Sequence, residues 1–592
     1  MDRDAVLDIA REWMGDGFDR ETRNEIRVLF DEKKFDELYD RFRKSLEFGT
    51  GGMRGLMGAG TNRMNRYTVG LATQGLANYL NKNKCGTEKC SAVIAYDSRN
   101  NSKEFARETA CVLAGNGIKV YIFPELRPTP LLSYAVRYFK ASVGVVITAS
   151  HNPKEYNGYK VYGSDGCQVV PPEDKMIVDE VGRVSINQIK KVEYERAKAD
   201  GMIVEISRDV EDAYIRDVVK LASRIKSGFP GTPEKTDIDK LKIVYTPLHG
   251  TGITMVPRAV SEAMGIELLC EKVQSIPDGN FPTTVSPNPE EHQALERAIE
   301  YAASEGADFV LATDPDCDRL AIAVGDGNGG FKQLTGNQIG CLFAEMLLDC
   351  YKTGGSLPEN PMIVSTIVST ELISDIVKNY GVGVDFVLTG FKYIGEKIRR
   401  YESEGKNFLF GFEESYGYLA DTFVRDKDGV IGSVLSVLMI QYALAKYGSI
   451  FRMLEEMYRK YGIYKEYQKS FVFEGEEGEK KIRDTMEALR NNPPSEISGG
   501  KVFLIKDYKL QKEKDLKNGT EADIKGLPVS NVLQFYTDNG IKISARPSGT
   551  EPKIKFYFQI KQPLTGSLEE NEKKLDEKFE KASDDFFRLI GF

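Results

Sequence analysis

Short apolar, β-branched runs that each end in a polar loop and give way to a helical pattern recur along this 592-residue chain. Residues 92–96 (AVIAY) read as a strand that ends at Asp97-Ser98-Arg99, residues 102–116 follow a helical period, and 119–123 are strand-like again. Residues 145–148 form a buried strand that breaks into Ala149-Ser150-His151-Asn152-Pro153. The pattern restarts at 242–245, which runs into Thr246-Pro247-Leu248-His249-Gly250-Thr251-Gly252, and continues with a strand at 308–313. It restarts once more after Gly336, with strands at 362–366 and 385–388. Strand–helix alternation of this kind demands a mostly parallel sheet covered by helices. Beyond about residue 455 the grammar changes to a helix at 480–490, a strand at 502–506, a hairpin at 531–545, a strand at 554–560 and a terminal helix. The charged stretch 509–526 is expected to be a surface insertion. The fold class expected is therefore α/β, with three similar α/β domains on mixed sheets and a C-terminal α+β domain. The boundaries expected are 1–205, 206–328, 329–455 and 456–592, which agrees with a length prior of about four domains.

Charge narrows the functional classes. Lys+Arg 80 against Asp+Glu 89 leaves a net charge of −9 with no long basic run, which argues against a nucleic-acid surface. Basic groups that converge locally can still hold an anionic substrate. The eight cysteines are scattered, and four residues separate Cys85 from Cys90 with no second pair at zinc-ribbon spacing. Free thiols in a reduced cytoplasmic protein are expected. The charged start MDRDAVLDIAREW does not read as a signal peptide, and the apolar helical stretch 434–445 reads as too short to span a bilayer. No membrane contact is expected; a monomer is the default, with a dimer as the alternative.

In open α/β sheets ligands gather beyond the carboxyl ends of the strands, where the loops at Asp97, Ser150, His249, Asp314, Thr366 and Thr389 lie. Asp314-Pro315-Asp316-Cys317-Asp318-Arg319 sets three carboxylates at alternating positions. They repel one another unless a cation sits between them, and oxygen ligands suit a hard ion such as Mg²⁺. An EF-hand is excluded because its sixth and twelfth positions would be Arg319 and Gly325. A solvated acidic turn is the alternative. Residues 49–55 (GTGGMRG) let backbone N–H groups and Arg54 approach an anion, but no Walker lysine follows. Residues 325–330 match G-x-G-x-x-G, yet no helix opens after them, so they read as a hairpin turn. In Gly411-Phe412-Glu413-Glu414-Ser415-Tyr416-Gly417, Glu413 and Ser415 face the same way if extended, which suits sugar hydroxyls as well as it suits a charged turn. Lys427 can reach an anion from the loop 421–429. Arg546-Pro547-Ser548-Gly549-Thr550-Glu551-Pro552, followed by Lys553 and Lys555, fits a phosphate nest or a proline-bracketed turn. Read alone, Ser150 fits a turn residue at a β-to-loop junction at least as well as a nucleophile.

GTGGMR, TASHNP, DPDCDR, GFEES and RPSGTEP in this order resemble the signature set of the α-D-phosphohexomutases, most of all their phosphoglucomutase/phosphopentomutase branch, from about Phe48 to Phe558. The resemblance implies four domains around a central cleft and an intramolecular phosphotransferase. Ser150 would carry the phosphoryl group, and Asp314, Asp316 and Asp318, with an oxygen of the Ser150 phosphate, would bind Mg²⁺. Glu413 and Ser415 match sugar contacts, Thr389 and Gly390 a substrate loop, and Arg546, Ser548, Gly549 and Thr550 a clamp for the non-reacting phosphate. Lys160 matches a lysine assigned to acid/base or electrostatic help, and its use in proton transfer would need a lowered pKa. Arg54 matches an arginine near the serine; Arg319 and Lys427 add positive charge, and His151 reads as a positioning residue. The reaction implied interconverts glucose 1-phosphate and glucose 6-phosphate, with glucose 1,6-bisphosphate as activator. Pentose phosphates or mannose phosphates are the alternative substrates, and a Mg²⁺-dependent sugar phosphatase is the alternative class. Gly51 stands where many members have serine, GFEESYGY lacks the glycine-histidine ending of the phosphomannomutase branch, and Lys555 replaces an arginine of some members. The clamp domain is expected to move on a hinge near 450–465.

Overall fold

The computed structural model describes residues 3–47, 52–85, 90–231, 241–473, 475–548 and 553–592. The strand Val143–Ile147 is buried along its whole length, as a central strand covered on both faces must be. It lies in a six-stranded sheet, parallel to Ser91–Tyr96 and antiparallel to Tyr156–Gly163. The second sheet, of five strands, places Phe309–Thr313 between Ile243–Thr246, which is parallel to it, and Leu320–Gly325, which is antiparallel. The turn after Gly325 does close a hairpin onto Phe331–Gln333. The third sheet has four strands, with Pro361–Thr366 parallel to Gly383–Val387 and Asn407–Glu413, and Gly417–Ala420 returning antiparallel. The fourth has eight strands, all antiparallel, with the helices Gly475–Asn491 and Leu568–Ile590 packed on it. Three mixed α/β units and a C-terminal α+β unit are thus the observed architecture.

The N-terminal helices Arg3–Glu12, Arg20–Asp31 and Phe35–Phe42 form a small core of their own. Trp13 stacks on Phe18 at 4.5 Å and meets Tyr67 edge-on at 5.5 Å, which fastens this cap to the first α/β unit.

Four expectations change. Cys85 and Cys90 are joined by a disulfide, so the reading of all eight cysteines as free thiols is corrected; the other six are free. The apolar stretch 434–445 belongs to the longer helix Gly429–Tyr447, which is, among the described residues, the one helix long and apolar enough to cross a bilayer. It is 83% buried inside the protein, packed between Val256–Met264, Gly336–Thr353 and Ile450–Tyr461. Asp428 starts it early by accepting from the N–H groups of Val430 and Ile431 at 2.8 and 2.9 Å. Residues 509–526 are a hairpin, Lys512–Asp515 with Thr520–Asp523, that extends the fourth sheet. The helix Ile450–Tyr461 runs on past residue 455, and after Gly462 (φ 93°) the ten-residue strand Ile463–Val472 begins, an element absent from the sequence reading.

The fully buried Leu438 tests this core: Leu438→Ala should destabilise the protein by about 2–5 kcal/mol, read from the urea midpoint followed by circular dichroism. A loss well under 1 kcal/mol would show that the helix is not the central support described.

Candidate active site

Ser150 lies three residues beyond the end of the strand Val143–Ile147, and its backbone is left-handed, with φ 52°. Its amide donates to Thr148 Oγ1 at 2.8 Å. Its Oγ donates to Asp314 Oδ2 at 2.6 Å and lies 3.2 Å from His151 Nδ1. Burial, with Arg319 and Arg54 nearby, pushes His151 well below the usual histidine range, so its ring is neutral. Arg54 donates to Asn152 Oδ1 at 3.0 Å from the neighbouring strand Gly52–Leu56.

Asp314, Asp316 and Asp318 occupy the turn between two strands of the second sheet, and all three are buried. Asp314 Oδ1 accepts from the amides of Asp318 and Arg319, both at 3.0 Å, which curls the loop around that carboxylate. Cys317 turns the loop with φ 54°. The other units supply the counter-charges. Lys160 Nζ lies 2.9 Å from Asp316 Oδ2 and 3.4 Å from Asp318 Oδ2, and Lys427 Nζ lies 2.6 Å from Asp318 Oδ2. Thr129 Oγ1 donates to Asp316 Oδ2 at 3.0 Å. Burial, with Asp318 and Asp316 alongside, pushes Asp314 well up. Burial acts the same way on Asp316, but Lys160, a hydrogen bond with Asp314 and Lys427 together outweigh it and hold Asp316 below the usual carboxylate range. Burial would lower Lys160, yet Asp316 and Asp318 outweigh it and raise this ammonium above the ordinary lysine range. That is the direction opposite to the one a proton acceptor needs.

One carboxylate oxygen from each aspartate lies within 4.8 Å of the other two. Asp316 Oδ1 and Asp318 Oδ1 are buried with no hydrogen-bond partner among the described residues. Unpartnered buried carboxylate oxygens are costly, and an all-oxygen set of this size suits a hard divalent cation. The residues present therefore fit such an ion, held by Asp314, Asp316 and Asp318.

Beside these loops lies a cleft of about 810 Å³ to which every unit contributes: His151 from the first, Arg319 from the second, Thr389 and Ser415 from the third, Arg546 and Lys555 from the fourth. Glu413 is not among the cleft's lining residues, unlike its neighbours Glu414 and Ser415; it is buried and accepts from the Gly390 amide at 2.8 Å. Burial and the adjacent Glu414 push Glu413 up to about 7. Tyr416 (φ 64°) turns this loop. Gly336 lets the start of the helix Gly336–Thr353 approach it, since a Cβ there would lie 2.1 Å from the Glu414 carbonyl. Lys555 stands opposite Arg546 on neighbouring strands, and burial with Lys553 and Arg546 nearby lowers its pKa, so basic side chains crowd together at this strand end. Ser548 extends the same strand end, its amide 2.7 Å from the Lys553 carbonyl. Gly549 and Thr550, like 48–51 of the glycine-rich stretch, lie outside the described residues.

Glu290 was not singled out from sequence; it lines the cleft and pairs with Arg319. Nor was Arg99, which donates to backbone carbonyls on both sides of Ser150's turn, although Asp97-Ser98-Arg99 stood at a strand end. Both contacts join segments distant in sequence, and no local pattern announces them.

Three family models match in order: phosphoglucomutase/phosphomannomutase α/β/α domain I over residues 45–187, domain II over 212–329 and domain III over 335–461. The chain is 37% identical over 527 residues to a phosphoglucomutase of Staphylococcus haemolyticus, covering 88% of this chain and 91% of that one. It is 38% identical over 545 residues to a phosphoglucomutase of Staphylococcus aureus, covering 91% and 94%. The fold matches a structure of a phosphomannomutase homologue from Thermus thermophilus with TM-score 0.65 at 20% identity, over 93% of this chain and 100% of that one. It also matches the open form of the Paramecium phosphoprotein parafusin, a phosphoglucomutase, with TM-score 0.63 at 16% identity, over 92% and 94%.

Titration with MgCl₂, MnCl₂ or CaCl₂ should raise the melting temperature. An ion at about 100 times its Kd adds about 2.7 kcal/mol, and Asp316→Asn should lose most of that gain. An equal gain in the variant would place the ion elsewhere.

Proposed function

The chain belongs to the phosphoglucomutase/phosphomannomutase family of the α-D-phosphohexomutase superfamily, and we propose that it interconverts glucose 1-phosphate and glucose 6-phosphate through a phosphorylated Ser150. The observation that carries this reading is the placement of Ser150 Oγ, 2.6 Å from Asp314 Oδ2 beside a cleft lined by all four units. A phosphoryl carrier needs positive charge around a serine oxygen rather than a triad that deprotonates it. Arg54, Lys160, Arg319 and Lys427 are that charge.

In the first half-reaction the bond between phosphorus and Ser150 Oγ breaks, and a bond forms from phosphorus to the free hydroxyl oxygen of the sugar phosphate. The product is a 1,6-bisphosphate and a free serine. Turned end for end, the bisphosphate returns its other phosphoryl group to Ser150. Bound Mg²⁺ would supply Lewis acidity toward the transferring phosphoryl oxygens. Lys160, held charged by its two carboxylates, acts electrostatically rather than as the base. Glu413 and Ser415 orient the sugar hydroxyls, Thr389 and Gly390 border them, and Arg546 with Ser548 holds the phosphate that is not reacting. Gly549 and Thr550 complete this clamp by sequence. Glucose 1,6-bisphosphate, added in trace amounts, would charge Ser150. The relatives' activity supports glucose over mannose, as does the loop GFEESYGY.

The test is intact mass with and without glucose 1,6-bisphosphate, together with kcat/KM on glucose, mannose, ribose and glucosamine 1-phosphates. The wild type should gain one phosphoryl group and prefer glucose 1-phosphate, and Ser150→Ala should lose at least about 10⁴-fold in kcat, as removal of a nucleophile does. Full activity in Ser150→Ala would sink the reading. Release of free phosphate without glucose 6-phosphate would replace it with a phosphatase.

A further inference from the structure

The turn that carries Ser150 gathers carbonyl oxygens that would repel one another. Arg99, only 3% exposed, collects them. Its Nη1 donates to the carbonyls of Pro153 (2.8 Å) and Tyr156 (3.1 Å), and its Nη2 to those of Ser150 (2.5 Å) and Asn152. Nε lies 3.3 Å from Asp97 Oδ2. Asp97 is fixed in turn by Thr148 Oγ1 at 2.6 Å, Ser102 Oγ at 2.7 Å and the Arg99 amide at 3.0 Å. A planar guanidinium with five donors can serve this many acceptors at once, whereas an ammonium cannot.

The guanidinium's exposed face is closed from another unit. Phe281 of the second unit lies over it, ring centroid 5.0 Å away. Phe281 is buried and left-handed at φ 45°, a conformation that only a well-fixed loop holds. His249 does the fixing from the TPLHGTG turn, Nδ1 2.9 Å from the Ile276 carbonyl and Nε2 2.9 Å from Thr283 Oγ1. The Gln274 amide donates to Thr283 Oγ1 at 3.0 Å, so the threonine proton goes to His249 Nε2 and the Nδ1 proton to the carbonyl. Every group in this chain is satisfied with one consistent direction. Further along the same loop, Ser286 Oγ donates to the His151 carbonyl at 3.2 Å and Glu290 pairs with Arg319. The loop also approaches the Arg99 segment closely, since a Cβ on Gly279 would lie 2.3 Å from the Asn100 amide nitrogen.

We propose that Arg99 is a positioning residue for the phosphoryl-carrying serine, and that loop 271–291, pinned by His249, holds it by closing Phe281 over the guanidinium. This rests on Ser150 being the phosphoryl carrier. Arg99 touches no substrate; it acts by keeping the strained Ser150 turn aimed at Asp314. A ring over a cation excludes water, which strengthens the hydrogen bonds beneath it. Docking of the second unit on the first thereby sets the serine's aim as well as bringing the aspartates to it.

A misplacement of about 1 Å costs about 100-fold in rate. Arg99→Lys should therefore lower kcat, and the single-turnover rate of Ser150 phosphorylation by glucose 1,6-bisphosphate, by about 100-fold. KM for glucose 1-phosphate should stay within about threefold, because the groups that hold the substrate are untouched. Phe281→Ala should show the same split at about a tenth of that size, and it decides the matter if Arg99→Lys does not fold. A merely structural role would lower the melting temperature and leave kcat intact at temperatures where the variants are folded. That outcome, or a rise in KM that matches the fall in kcat, overturns the proposal. Wild-type phosphorylation with unchanged variants removes the positioning role alone; a wild type that never takes phosphate on Ser150 removes the carrier reading and this role with it.

Discussion

Three buried carboxylates on one six-residue turn are the constraint that the rest of the molecule answers. Asp314, Asp316 and Asp318 are each at most 1% exposed, and ionised carboxylates taken out of water are costly unless cations and hydrogen bonds surround them. The second unit does not supply these by itself. Lys160 and Thr129 come from the first unit and Lys427 from the third. The turn between the third unit's sheet and its central helix is shaped to deliver Lys427, with Asp428 anchored by Tyr214 at 2.7 Å and the Gly429 amide bound to the Cys317 carbonyl at 3.0 Å. Packing of the three α/β units and assembly of the site are therefore one event. Removing one partner of so buried an ion pair typically costs about 3–5 kcal/mol, so the interface is specified by charge and not by apolar area alone.

Strain is distributed over the same loops. Ser150, Cys317 and Tyr416, one in each of the three α/β units' cleft loops, are left-handed without being glycine. Each such residue costs about 1–3 kcal/mol and persists only where its surroundings over-determine it. The surroundings are visible in each case: Arg99 around Ser150, the Asp314 carboxylate around Cys317, and the Tyr416 carbonyl held by the Leu320 amide at 2.9 Å.

The sequence showed most of what is local. The runs read as strands at 145–148 and 308–313 are largely apolar and buried, and the loops that end them, where ligands gather in such sheets, carry the serine and the aspartates. Joining those loops into one site came from their resemblance to a known family, not from any local pattern. What stayed hidden is non-local or disguised. Arg99 looked like one more polar turn residue because its acceptors lie about fifty residues on. The strand Ile463–Val472 was missed because only its first two residues are buried and its partner, Lys553–Gln562, lies far along the chain. The start of the central helix was hidden by glycines at 429 and 432, which read as loop although Asp428 caps them.

The fourth unit meets the others on different terms. Its contacts with the third are largely polar: Gln534 and Lys542 donate to the Ile367 carbonyl at 2.6 and 3.0 Å, Lys542 pairs with Glu371 at 3.0 Å, and Lys561 pairs with Asp375 at 2.8 Å. One satellite apolar cluster at this contact is small, centred on Ile367, Leu388, Tyr508 and Val532, while the fourth unit's main core is continuous with that of the other units. Gln534 and Lys542 are buried, so these bonds hold the contact unless other groups take their place. The three α/β units are joined by buried charge, and the unit bearing Arg546 and Lys555 meets the third beyond Gly462 (φ 93°) through these polar contacts and the shared core. Strain and buried charge thus gather around Ser150, while the fourth unit's polar contacts with the third set Arg546 and Lys555 in the same cleft that His151 lines.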